Sequence, residues 1–175
     1  MTGPVGDEEH LFRRVQSSVG DQLCYQVDGG RTVFLHAAFN DPQKRPSVDR
    51  AILKYRLDPN LSRRDAEDGI VSLQAAAIRR LGPIAKLNEK GKATEDKYVV
   101  DVAADPVLGN CAHATVAMSP STVGVGTFKR LKEGLARLAT EAGWTVEPNA
   151  TLPNRYGHQV RDILICLQHR LRRRL

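Results

Sequence analysis

Residues Asp105–Ala142 read DPVLGNCAHATVAMSPSTVGVGTFKRLKEGLARLATEA, and this stretch decides the fold class. It opens with a turn, Asp105 to Asn110, and continues as an apolar strand, Ala112 to Met118, that carries one histidine. A glycine-broken loop then leads into a helix expected over about Thr127 to Ala142. Phe128, Leu131, Leu135, Leu138, Ala139 and Ala142 recur on one helical face, while Lys129, Arg130, Lys132, Glu133 and Arg137 lie away from its centre. Thr127 reads as the N-cap and Gly143 as a left-handed stop.

Upstream, Tyr98 to Ala103 (YVVDVA) reads as a strand after a charged turn region, Asn88 to Asp96. QLCYQV and RTVFLHAAF flank Asp28-Gly29-Gly30, which predicts a β-hairpin because glycine accepts the positive φ of tight turns. HLFRRV, from His10, is a short strand. Val48 to Leu57 alternates as a strand does, with a helix as the alternative. Ser62 to Asp65 resembles a helix cap, predicting a short helix that runs to Asp68 and breaks at Gly69. Ile70 to Leu73 is then a strand leading into a helix from about Gln74 to Leu81, stopped by Gly82-Pro83. One long helix is the competing reading, and Gly69 favours the break.

Downstream, Pro148 to Gly157 is a loop. A final helix, His158 to about Arg174, places Val160, Ile163, Leu164, Leu167 and Leu171 on one face. These elements predict an α+β fold: a mostly antiparallel sheet with helices packed on one face. With 175 residues the chain is expected as a flexible tail, residues 1–8, followed by a single domain, residues 9–175.

A hydrophobic fraction of 41% and a charged fraction of 26% exclude overall disorder. No apolar run reaches the roughly 18 residues of a membrane span, and the acidic start MTGPVGDEEH lacks the features of a signal peptide. A cytoplasmic location is expected. Cys24, Cys111 and Cys166 fit neither a disulfide framework nor a zinc spacing and read as buried, reduced thiols. No cofactor or metal signature is present in the sequence; Asp49, Asp65, Asp68, Asp101 and Asp105 are scattered without ligand spacing.

The net charge of +6 is placed unevenly. Residues 119–175 hold ten Lys or Arg against four acids, so they carry the whole excess and the first 118 residues are neutral. Lys129, Arg130, Lys132, Arg137, Arg170, Arg172, Arg173 and Arg174 are therefore the candidate contacts to a nucleic acid or an acidic protein. The bland reading of the terminal HRLRRRL is a solvated helix end whose arginines complement the dipole. Gly124-Val125-Gly126-Thr127 matches neither a dinucleotide fingerprint nor a P-loop and reads as a connection.

Candidate catalytic residues are His36, His113 and Thr115. A strand puts His113 and Thr115 on one face, where an imidazole and a hydroxyl can hold a phosphate and move a proton. The His113-Ala114-Thr115 unit resembles half of the pattern of two-histidine phosphoesterases, which implies a second such unit on a neighbouring strand. His36-Ala37-Ala38 is the candidate, and Ala38 departs from the pattern at the hydroxyl position. LFRRV, SVDRA, GIVSLQAAAIRRL and DP…NCAHATV together resemble small bacterial proteins of unassigned function. That resemblance implies a compact single domain in the bacterial cytosol and carries no catalytic residue.

The expected role is a non-enzymatic module in a larger assembly that contacts nucleic acid or an acidic protein through its basic last third. A phosphoesterase-like or RNA-processing enzyme built on His36 and His113 is one alternative. An adaptor that docks its last helix in a partner's groove is the other.

Overall fold

The computed structural model describes residues 3–16, 23–54 and 57–150. Their elements run β1 (His10–Gln16), β2 (Cys24–Gln26), β3 (Thr32–Phe34), β4 (Ser47–Arg50), β5 (Asp68–Gln74), α1 (Ala75–Arg79), β6 (Ile84–Leu87), β7 (Ala93–Ala104), β8 (His113–Ser119) and α2 (Val125–Ala142). Six strands form one sheet in the order β5-β1-β4-β8-β7-β6, with every neighbouring pair antiparallel. β2 and β3 pair separately around the turn where Gly29 and Gly30 take φ of 84° and 76°. This is the α+β fold, in one domain, that the patterning predicts.

Period-two alternation sets the sheet's buried face. Leu11 and Val15 of β1, Val71 and Leu73 of β5, Val100 and Val102 of β7, and Val116 and Met118 of β8 join one core. Phe128, Leu131, Leu135 and Ala139 of α2 close it at helical spacing, and Ala75 and Ile78 of α1 enter the same cluster. Leu131 and Leu135 are wholly buried, and each contributes on the order of 2 kcal/mol by leaving water. α2 ends at Gly143, whose φ of 71° is the left-handed stop. The chain then follows β5: Ile70 N donates to Val146 O (2.8 Å), which closes that sheet edge.

Several local expectations change. Part of the expected tail, residues 3–8, lies against the sheet: Val5 is buried, and Arg50 Nη1 and Nη2 donate to the carbonyls of Gly3 (2.7 Å) and Pro4 (3.3 Å). Arg50 also grips Glu9 with two charge-assisted bonds of 2.8 and 2.6 Å. The strand from Val48 stops at Arg50 and becomes a 3-10 turn, Ala51–Leu53.

Instead of a helix to Asp68 there is a 3-10 turn, Pro59–Ser62, capped by Asp58 Oδ1 accepting from Asn60 N (2.9 Å). The buried Asp68 carboxylate takes the amides of Arg64 (2.7 Å) and Asp65 (3.2 Å), so the segment closes as a loop. Gly69 is not a boundary: β5 runs through it from Asp68 to Gln74, and its missing side chain leaves room for Trp144. A Cβ there would sit 2.3 Å from the indole ring. The helix expected over Gln74 to Leu81 is confined to α1.

Thr127 is not the cap. Gly124 holds that position, and the buried Thr127 Oγ1 accepts from Leu87 N (3.0 Å), tying α2 to the unexpected strand β6. The expected final helix, with Cys166, lies outside the described residues. Cys24 and Cys111 form no disulfide. Among the described residues no helix is long and apolar enough to cross a membrane.

Candidate functional site

β1 and β4 pair through only two positions, Leu11↔Arg50 and Phe12↔Asp49. Beyond them β1 continues along β5 as far as Gln16↔Asp68, and β4 continues along β8 as far as Ser47↔Thr115. The two strands diverge, and a cleft of about 990 Å³ opens in the wedge. Its walls come from both strands, the 3-10 turn at Pro59–Ser62 with the loop that follows, and the Val107–Ala112 turn.

Arg13 explains how the wedge is held open. The alternation Leu11-Arg13-Val15 puts this arginine where a core residue is expected. Its Nη1 donates to Ser47 O (2.8 Å), while Nε and Nη2 donate to Ala38 O (3.1 and 2.7 Å). The guanidinium thus stands in for backbone donors that a continuous β1–β4 ladder would have supplied. It lies over the Phe39 ring at 5.6 Å. Burial pulls its pKa down to about 10, so it remains a cation at neutral pH. Carbonyl oxygens, not a carboxylate, hold it.

Arg13, Arg14, Lys54, Arg63 and Arg64 line the cleft, and Asp49 is the one carboxylate among the described lining residues. Lys54 Nζ reaches Asp49 Oδ2 (3.1 Å), with both side chains largely buried, and Asn110 Nδ2 donates to Asp49 Oδ1 (2.7 Å). Arg14 lies 3.5 Å from Asp68 Oδ2. Arg63 is fixed by donation to Asn60 Oδ1 (3.3 Å), Ala150 O (2.8 Å) and Ala66 O (2.6 Å). Arg64 is exposed. Positive charge therefore exceeds negative charge around a concave, partly desolvated space, where Coulomb attraction for an anion is stronger than on an open surface.

The residues expected to be catalytic are divided. His113, at the start of β8, lines the cleft, and its Nδ1 lies 2.6 Å from Asp105 O. Thr115 is buried, and its Oγ1 accepts from Arg45 Nη2 (2.8 Å). His36 is not on a strand: it begins a 3-10 turn, His36–Phe39, because β3 ends at Phe34. It is not among the residues lining the cleft. His113 and His36 are not brought together there.

Of the expected binding residues, Lys129, Arg130 and Arg137 are exposed on α2, and Lys129 pairs with Glu133 at 3.9 Å. Lys132 lies over the Phe128 ring and bonds Asn40 Oδ1, and Asn40 itself lines the cleft. Burial, then the neighbouring Lys129 charge, lowers the Lys132 pKa. Arg170, Arg172, Arg173 and Arg174 lie outside the described residues.

Sequence reasoning missed the cleft cations. The signal was present at Arg13, an arginine at a core-facing strand position, and in the doublets Arg13-Arg14 and Arg63-Arg64. Among the described residues no group of three or more His, Cys, Asp or Glu is placed to hold a metal ion. Comparison with known proteins gives no match to a family model, to a curated protein or to a solved structure.

Proposed function

We propose that this chain is a binding module for an anionic partner, with nucleic acid as the class and the β1–β4 cleft as the principal site. One observation carries the reading: among the described residues, five cations and a single carboxylate line one concavity, and Arg13 is held there by neutral oxygens. A phosphodiester chain presents acceptors only, which suits guanidinium forks. Half-buried Leu53 and Leu61 add apolar lining against which a base can rest. The Asn40–Lys132 contact leads from the cleft toward Lys129 and Arg130, so a longer polyanion has further positive charge to follow.

Binding rather than catalysis is favoured because the Thr115 hydroxyl is engaged by Arg45 and His36 lies off the cleft. An acidic protein is the second occupant of the same chemistry, in keeping with a role inside a larger assembly.

The test is fluorescence anisotropy with short single- and double-stranded RNA and DNA over a salt series. Affinity for a single strand should fall with log salt by a slope of about 0.7 per phosphate engaged. Arg64→Ala should lower that slope by about one contact, and a Lys129→Ala, Arg130→Ala double variant should weaken longer oligomers more than short ones. Removing Arg172, Arg173 and Arg174 measures the part played by the terminal cluster. Absence of binding to all four nucleic acids at low salt overturns the nucleic-acid reading and leaves the acidic protein.

A further inference from the structure

We infer that His113 makes the cleft selective for RNA by accepting a hydrogen bond from a ribose 2′-hydroxyl. This rests on the cleft being a nucleic-acid site. The cations around it are donors, matched to phosphate oxygens that only accept. A ligand group that donates must find an acceptor that is not already engaged. Asp49 is engaged at both oxygens, by Asn110 at 2.7 Å and by Lys54 at 3.1 Å. His113 differs. A carbonyl oxygen cannot donate, so the 2.6 Å contact from Nδ1 to Asp105 O places the proton on Nδ1. In the neutral ring Nε2 then carries a lone pair, and it has no partner among the described residues.

The backbone beneath the ring is also held. Asp105 N donates back to His113 O (3.0 Å), and the His113 amide donates to Asn110 O (3.4 Å), while the Nδ1 contact to Asp105 O orients the imidazole. The sugar–phosphate backbone of RNA carries one donor that DNA lacks, the 2′-hydroxyl beside each phosphate. An acceptor fixed among phosphate-binding cations meets that hydroxyl. The cleft volume is that of a small-ligand pocket, so a single strand or a nucleotide enters and an A-form duplex is too wide.

Three oligomers of equal length separate the possibilities: oligouridylate, its 2′-deoxy form and its 2′-O-methyl form, titrated in mildly alkaline buffer. The ribo form should bind about tenfold tighter than the other two, as one well-formed hydrogen bond gives. His113→Phe should bring the ratio to about one, and His113→Gln, which keeps an acceptor, should retain part of it. Circular dichroism checks that each variant folds, and the 2′-O-methyl comparison needs no variant.

Equal affinity of the native protein for all three oligomers overturns the inference and leaves the cleft-binding reading standing. So does a ratio that survives in folded His113→Phe. Failure of every oligomer to bind overturns the nucleic-acid reading of the cleft and the inference with it.

Discussion

Gly69 shows how the absence of a side chain can be misread. In the sequence it looked like a helix breaker, yet in the fold it makes room for Trp144, which packs edge-on against Phe34 with ring centroids 4.6 Å apart. Gly69→Ala would force the indole away from both neighbours. It should cost about 1–3 kcal/mol in urea denaturation and shift the emission of the chain's one tryptophan. Arg13 is the opposite case. Its core-facing register was legible in HLFRRV, but its meaning was not, because the carbonyls it satisfies lie at Ala38 and Ser47, far away in sequence. Charge was legible only as a sum. The first 118 residues are neutral overall, and that neutrality hid the cations that folding gathers at the wedge.

At the scale of elements, what the sequence announced was whatever local periodicity determines: the strand Ala112 to Met118, helix α2 with its glycine stop, and the hairpin at Gly29-Gly30. What it missed was set by distant partners. β6 is only four residues long and is fixed by pairing with β7 and by the Thr127 hydroxyl. The Asp58–Asp68 segment is shaped by a buried carboxylate that collects loop amides.

The N-terminal segment is another such element, because Glu9 and Arg50 fasten it to β4. Burial raises the Glu9 pKa, but the Arg50 hydrogen bond and charge and the Gly6 amide outweigh it, and the net shift is downward. A carboxylate with a depressed folded pKa adds stability above its unfolded value, about pH 4.3, that is lost as pH falls through the folded one. Urea midpoints of the native protein should therefore drop across this acid range. Glu9→Gln should flatten the drop and cost about 1–3 kcal/mol at pH 7, since the buried Arg50 keeps the Gly3 and Pro4 carbonyls but loses its counter-charge.

For the whole molecule, the organising fact is the short seam between β1 and β4. Hydrogen exchange should find the amides of residues 13–16 and 47–49 less protected than those of β7 and β8, and an added oligoribonucleotide should slow them together. Mechanically, the sheet is two leaves, β5-β1 and β4-β8-β7-β6, stitched by two residue pairs while α2 runs along the back. A ligand bridging Arg14 and Arg64 on one leaf and Lys54 and His113 on the other would act as an extra stitch. Occupancy and rigidity then become one quantity: at a hundredfold excess over its Kd, such a ligand would raise stability by about 2.7 kcal/mol, so a melting curve would report binding.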